Sequence, residues 1–433
     1  MAVNLKKRLQ RIRDEQVISA GKKSEYPSPA GQKKPADQKN TGEPAAEAVF
    51  NIQNTEYSIY SGSRWEQAGY EVLKRIVKVN MSVPDRFPAE MDIIVRDLAR
   101  YGGIPEPSDF VFFDLETTGL SGGAGTLAFL GSFGRFRPGS LVVSQYLLLD
   151  YPGESDFLEA MKAELLDHTA EAPAMIVSYN GKTFDSQILK NRCLMNAIVP
   201  PDYFHADLLH PSRRLWKNIL PDCSQGTIET NILGLDRTGD TPGALAPDIW
   251  FNFLKTNETR ELMGICDHNI RDIAGLASIL LLMSGISAAP LDTLKTHNYD
   301  LEALALLWRD TALRRNAAGL KKTAMTLMNE AARRKAPRVL YALGLDLLKT
   351  EPGQGQNYLK LLASSETEGP PELKIKAFCA LAKHAEWAER DAARALAYTE
   401  SALAIAGTAT GLMNELQRRR ERLLKKINCA ESS

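Results

Sequence analysis

Phe110-Val111-Phe112-Phe113-Asp114-Leu115-Glu116-Thr117-Thr118-Gly119-Leu120 is the stretch on which the reading of this chain turns. The run Phe110 to Phe113 is apolar and aromatic, as a buried strand requires. Asp114 and Glu116 are two residues apart on that strand, so both carboxylates project from the same face. Side by side they repel each other unless a cation lies between them, and hard oxygen ligands of this kind suit Mg2+ or Mn2+. Thr117-Thr118-Gly119 then turns the chain away. This makes Thr117, Thr118, Gly119 and Leu120 candidates for contacting a substrate through backbone N–H groups. A bare Asp-x-Glu pair is usually two solvated acids at a strand end; the strand before it and the turn after it favour a metal site.

Two further strings supply partners. In Ser178-Tyr179-Asn180-Gly181-Lys182-Thr183-Phe184-Asp185 a strand ends at Tyr179 and Asn180-Gly181 turns the chain. Asp185 falls in the first turn of the next helix and is brought back over the strand ends. Asn180 and Lys182 are then placed to touch substrate or phosphate. The plain alternative is that Asp185 stabilises a helix N-terminus. In Cys266-Asp267-His268-Asn269-Ile270-Arg271-Asp272, His268 and Asp272 are four apart and share one helical face. Asp272 would complete a cage of four carboxylates. His268 could take a proton from an attacking water, since a neutral imidazole titrates near pH ~6.5; its alternative role is to orient Asp272 or a phosphate.

The first string matches the first motif of the DnaQ-like, four-carboxylate 3′–5′ exonucleases, and Asn180 to Asp185 resembles their second, N-x-x-x-F-D. The third departs from the pattern. One branch of that family has histidine with four residues before the aspartate and the other has tyrosine with three, whereas this chain has histidine at the tyrosine's spacing. The resemblance implies a ribonuclease-H-like fold and two Mg2+ or Mn2+ ions held by Asp114, Glu116, Asp185 and Asp272. It also implies His268 as a catalytic residue and hydrolysis of DNA or RNA that releases a 5′-phosphorylated nucleotide. Between the second and third motifs, His205, Arg213, Arg214 and Lys217 could line a phosphate-binding edge, with Trp216 stacking on a base; a plain surface helix fits the same composition. This region, with Leu233-Gly234-Leu235 and Asp240-Thr241-Pro242-Gly243, resembles the bacterial YprB-type proteins, which join a ribonuclease-H-like domain to a tetratricopeptide-like helical part. The resemblance covers Phe110 to Met283 and extends to the C-terminal region in character only.

Working outward, the patterning predicts strands at Thr126 to Phe136, Leu141 to Leu149 and Ala174 to Tyr179, with helices at Glu154 to Asp167 and Phe184 to Asn196. Three strands followed by alternating helix and strand give an α/β domain, a mixed sheet flanked by helices, over residues 108–290. Residues 300–428 are rich in Ala, Leu, Lys, Arg and Glu and predict seven helices: Leu301–Ala317, Leu320–Arg334, Pro337–Lys349, Gly355–Ser364, Pro371–Glu389, Asp391–Ala406 and Thr410–Lys426. These form an all-α helical-repeat domain with tetratricopeptide-like spacing from Ala377 to Ala406. Residues 1–48 read as a disordered basic tail, and residues 49–107 as a lead-in with a strand signal at Tyr57 to Tyr60 and a helical stretch from Pro88 to Tyr101.

The 433 residues carry 53 basic and 53 acidic side chains, which disfavours a protein that coats nucleic acid by overall charge but leaves room for local patches. No run of eighteen apolar residues predicts a membrane span. Five scattered cysteines form no CxxC pair, which fits a reducing cytoplasm. The expected partners are therefore a nucleic acid, as a single strand or 3′ end, and a protein bound along the helical domain. The reading is a metal-dependent exonuclease; its alternative is a nucleic-acid-binding scaffold that works through the helical repeats with little turnover. The basic run Arg418-Arg419-Arg420, with Arg422, Lys425 and Lys426, could touch nucleic acid or be a solvated helix end.

Overall fold

The computed structural model describes residues 64–119, 125–166, 174–406 and 410–431. The predicted tail at 1–48, the strand signal at Tyr57 to Tyr60 and Leu120 lie outside the described residues. The chain divides into two compact units, residues 1–298 and 299–433.

The first unit is built on a seven-stranded sheet: β1 (Glu66–Gly69), β2 (Val72–Asn80), β3 (Phe110–Thr117), β4 (Ala128–Arg137), β5 (Ser140–Leu148), β6 (Met175–Ser178) and β7 (Phe204–Asp207). Their spatial order is β1-β2-β5-β4-β3-β6-β7. The pairs from β1 to β3 are antiparallel, while β6 runs parallel to both β3 and β7. The helices of this unit are α1 (Glu154–Leu166), α2 (Asp185–Met195), α3 (Leu209–Trp216), α4 (Gln225–Asn231), α5 (Ala246–Thr256) and α6 (Arg260–Ala288). This is the mixed, helix-flanked sheet that the sequence predicts.

One difference concerns the lead-in. Val72 to Asn80 pairs along its whole length with β5, so the sheet begins well upstream of residue 108. On its buried face the strand carries Arg75, Val77 and Val79, and the charge at a core position conceals the alternation. The stretch from Pro88 to Tyr101 holds a helical turn, Met91–Ile94, and a 3-10 segment, Arg96–Arg100, rather than one helix.

Two glycines on β4 let helices close on both faces of the sheet. A Cβ at Gly131 would meet Met161 Sδ of α1 at 2.5 Å, and one at Gly134 would meet Ile273 Cγ2 of α6 at 2.6 Å. Successive strand residues point to opposite faces, so residues an odd number apart serve opposite sides. The helix α6 is apolar enough to cross a membrane by length and composition, yet its apolar window is 89% buried inside this unit. Its burial follows from its place across β3, β4 and β5.

The second unit is helical throughout its described residues: α7 (Leu301–Arg315), α8 (Ala318–Arg333), α9 (Pro337–Leu347), α10 (Pro352–Ala363), α11 (Pro371–Trp387), α12 (Ala392–Ala406) and α13 (Thr410–Glu431). Neighbours in sequence pack as neighbours in space, α7 on α8, α9 on α10, and α11 on α12 on α13. Asp300 caps α7 by accepting from Ala303 N, and Asn316 ends it in a left-handed turn.

The indole of Trp250 on α5 is 0% exposed, stacks on Phe129 at 5.3 Å and donates to Leu148 O at 3.0 Å. Replacing it with Ala should cost about 3–5 kcal/mol. Urea unfolding followed by circular dichroism checks this, and a loss well under 1 kcal/mol would contradict the packing described.

Candidate metal and catalytic site

The four carboxylates predicted from separate strings come together at the ends of β3 and β6. Asp114 and Glu116 lie on the face of β3 that meets α6. Asp185 opens α2 and is buried, and Asp272 lies midway along α6. Ligating atoms of Glu116, His268 and Asp272 fall within 4.8 Å of one another. Burial raises the Asp114 carboxyl well above the ordinary range, and the negative fields of Asp185, Asp272 and Glu116 add to that, with Arg237 opposing. Burial and then Asp272 push Glu116 up to about 8, against the opposing charge of His268. Burial pushes Asp185 up to about 7, with Asp207 adding to it. Three carboxyls that resist ionisation in one cleft form a donor set that a divalent cation satisfies, because its charge replaces the protons they otherwise retain. The chemistry of the donors, mostly hard oxygen with one imidazole, fits Mg2+ or Mn2+.

His268 is held from both sides. Its Nδ1 is 2.8 Å from Asp240 Oδ2 and its Nε2 is 3.1 Å from Asp272 Oδ2. Burial alone would lower its pKa, but the hydrogen bond and charge of Asp272, then those of Asp240, raise it to about 9. Arg237 also reaches Asp272, at 2.5 Å, and binds Glu229, whose side chain is 1% exposed. Gln225 ties this group to the helix by donating to Glu229 Oε1 and to the backbone O of Asp272. Burial raises Glu229 to about 7, opposed by Arg237. Neither Arg237 nor Glu229 stands out in the sequence.

A polar row crosses the sheet beneath the cleft. Asp114 pairs with Ser132, Ser132 with Gln145, and Gln145 with Arg75, on four adjacent strands. All three partners of Asp114 in this row are buried, and Asn269 of α6 lies over them at 0% exposure. The hydrogen bonds run one way. Arg75 Nε donates to Gln145 Oε1 at 2.8 Å, and Gln145 Nε2 donates to Ser132 Oγ at 3.0 Å and to Asn269 Oδ1 at 3.2 Å. Ser132 Oγ donates to Asn269 Oδ1, and Asn269 Nδ2 donates to Asp114 Oδ2 at 2.6 Å. The far end is anchored by Arg75 on Asp267 of α6 at 2.8 Å. A chain of donors aligned from a guanidinium to a carboxylate reinforces itself in a low dielectric. Sequence reasoning missed Asn269, whose neighbours His268 and Asp272 carried the whole signal.

The predicted substrate residues fare unevenly. Asn180 is exposed at the turn with φ +64°, and its N–H donates to Asp207 Oδ1 at 2.8 Å. Asp207 also accepts from Lys182 N, so this buried residue of β7 orders the loop that leads to Asp185. The Lys182 ammonium is committed to Asp97 at 3.1 Å and to His205 O. Thr117 donates to Gly119 O, and Thr118 Oγ1 accepts from Leu127 N, so both hydroxyls shape the turn. Arg213 is exposed, while Arg214 donates to Ile94 O from a half-buried position. Trp216 must be corrected. It is 0% exposed and its indole N–H donates to Asn298 O at 3.0 Å, so its ring is core and cannot stack on a base. His205, between Ser178 and Ser186, is lowered to about 4 by burial and is a neutral structural ring rather than a phosphate contact.

The family model described as RNase_H superfamily matches residues 111–284. The fold of this segment is ribonuclease-H-like. The chain is also 40% identical over 180 residues to the uncharacterised protein YprB of Bacillus subtilis (strain 168). That match spans 41% of this chain and 42% of the relative. All four carboxylates and His268 fall within the matched RNase H segment.

The acid cluster sets a stability prediction. Its folded pKa values lie above those of the unfolded chain, so its contribution is favourable in acid. That contribution is lost as pH rises from about 4 through about 7 and 8 for Asp185 and Glu116. In the presence of chelator, Asp114→Asn should melt higher than wild type at pH 8, with the gap closing toward pH 4. Thermal melts across pH check this, and a variant that melts lower at pH 8 would contradict it.

Proposed function

We propose that the RNase H domain is a metal-dependent nuclease, and specifically a 3′–5′ exonuclease of the DnaQ-like, four-carboxylate type acting on DNA or RNA. The observation that carries this reading is the convergence of Asp114, Glu116, Asp185 and Asp272 in one cleft, where each resists ionisation or faces others that do. A structural ion-pair network would instead balance its acids with bases. Here Arg237 and His268 bear directly on Asp272, leaving an excess of carboxylate. The motif strings around Asp114 and Asp185 support the exonuclease type.

In this reading Asp114, Glu116, Asp185 and Asp272 hold two Mg2+ or Mn2+ ions. Bound there, the ions would supply Lewis acidity at the phosphodiester and activate a water for attack. Asn269, itself fixed by Ser132 and Gln145, keeps one Asp114 oxygen turned toward α6 and leaves the other for the cleft. Without metal, His268 at about 9 is a cation that donates to Asp240 and Asp272. His268 would be the group that accepts a proton from water at this site, and a cation held by Asp272 would supply the charge that releases the ring from its strongest partner. Asp240 would hold Nδ1 throughout and so keep Nε2 directed at the cleft. Asn180, beyond the end of the strand that leads to Asp185, and the Thr117 to Gly119 turn, which follows Glu116, are the proposed contacts for the terminal nucleotide.

End-labelled single- and double-stranded DNA and RNA, incubated with the protein and Mn2+ or Mg2+, test the reading. Shortening from the 3′ end is expected, abolished by chelator and reduced by roughly a hundred- to a thousandfold in Asp114→Asn, the scale for losing one group that stabilises transition-state charge. No cleavage of any of these substrates would sink the nuclease and favour the scaffold.

A further inference from the structure

The second unit carries a surface that the nuclease reading does not use. On α13, Arg418, Arg422 and Lys425 follow at helical spacing, with Lys426 beside them, so they form one stripe along about two turns. Each is exposed, whereas Leu416 and Leu423 on the other side of the helix are buried. The open space of about 490 Å3 between these side chains, all on α13, has as its charged lining the four bases and a single acid, Glu421. Next to it, at the end of α11, the indole of Trp387 is 65% exposed. Lys426 Nζ lies 4.6 Å from the ring centroid and Arg422 Cζ lies 5.7 Å from it.

Glu386, one residue before Trp387, is buried and takes both Arg422 and Lys426, at 2.8 and 2.7 Å. That pairing fixes the two cations beside the indole instead of leaving them free to move. Among the described residues no ion pair engages Arg418 or Lys425. The outer edge of the stripe therefore stays cationic while its inner edge is rigid. A large aromatic face left open beside ordered bases is unusual on a helix bundle, where such a ring is normally buried.

We propose that this surface binds the sugar-phosphate backbone of a single-stranded nucleic acid, with Arg418 and Lys425 on phosphates and one base stacked on Trp387. Cations in a row complement a polyanion, and an exposed indole beside them offers a π-face that any base can use. An acidic protein segment would match the charge, but it brings a ring-sized π-face only where an aromatic side chain happens to fall, whereas every nucleotide brings one. The choice of nucleic acid also rests on the nuclease reading of the RNase H domain. The surface would hold strand at a second point, through contacts that do not depend on sequence.

The test is fluorescence anisotropy with a labelled oligo(dT) 20-mer and the full chain in EDTA, where cleavage is off. Trp387→Ala should weaken binding at least about fivefold. The double charge reversal Arg418→Glu with Lys425→Glu should weaken it and flatten the log K against log salt slope by at least about 1.4, near 0.7 per lost phosphate contact. Both sites are exposed, and circular dichroism confirms that the variants remain helical. Wild-type affinity in both surface variants, no binding by wild type, or tighter binding of a poly-glutamate peptide than of oligo(dT) would overturn the proposal. Binding that depends on Trp387, found alongside an absence of cleavage with Mn2+, would reject the nuclease while supporting this surface.

Discussion

Mutual repulsion among buried carboxylates is the constraint around which the ribonuclease-H-like domain is organised. Asp114 feels Asp185, Asp272 and Glu116 at once, and its burial adds to their repulsion. Such a cluster opposes folding unless other groups compensate, and the domain compensates from two directions. Apolar packing fixes the scaffold, with α1 and α6 drawn close to β4 over Gly131 and Gly134. Polar order fixes the acids, through the aligned donors that run from Arg75 to Asp114 and the Glu229–Arg237–Asp272 group on the other side of the cleft. Electrostatic cost of this sort, concentrated in one place and held by the surrounding structure, is a mark of functional sites.

The cross-sheet row also explains why α6 cannot be shifted relative to the strands without loss at the site. Asp267, Asn269 and Asp272 occupy little more than one turn of that helix. Asp267 anchors Arg75 at the far end of the row, Asn269 meets Asp114 at the near end, and Asp272 faces the cleft. One helical turn thus sets the register of the sheet's polar row and the position of a carboxylate together. A residue change at Gln145 or Asn269 would leave buried donors or acceptors unpaired, at a cost of about 1–3 kcal/mol each.

Much of this was legible in the sequence because the signals were local. Asp114 and Glu116 announced themselves through strand periodicity, Asp185 through a turn followed by a helix, and His268 with Asp272 through spacing on one helix. The helices of the second unit read cleanly from Leu301 onward because most of their breaks carry Pro, Gly or Asn, though the one between α11 and α12, Ala388 to Asp391, carries none of them. What stayed hidden depends on partners distant in the chain. Arg75 looks like a surface charge until Gln145 and Asp267 are placed beside it, and for that reason β2 was not recognised as part of the sheet. Trp216 sits among Arg213, Arg214 and Lys217, which suggested an exposed stacking ring; its burial is set by Asn298, more than eighty residues away. Trp387 gave the opposite case, since the pattern of a helix in a repeat does not reveal that one aromatic is left open.

The central claim is that the carboxylate cluster is a site for divalent cations. Calorimetric titration of MnCl2 into the full chain tests it most directly, at pH 8 and pH 6 and in buffers of different ionisation heat. The account predicts binding at pH 8 accompanied by proton release, weakened about tenfold or more at pH 6, where Asp185 and Glu116 retain their protons. No binding at pH 8, or binding of equal strength at both pH values without proton release, would contradict it.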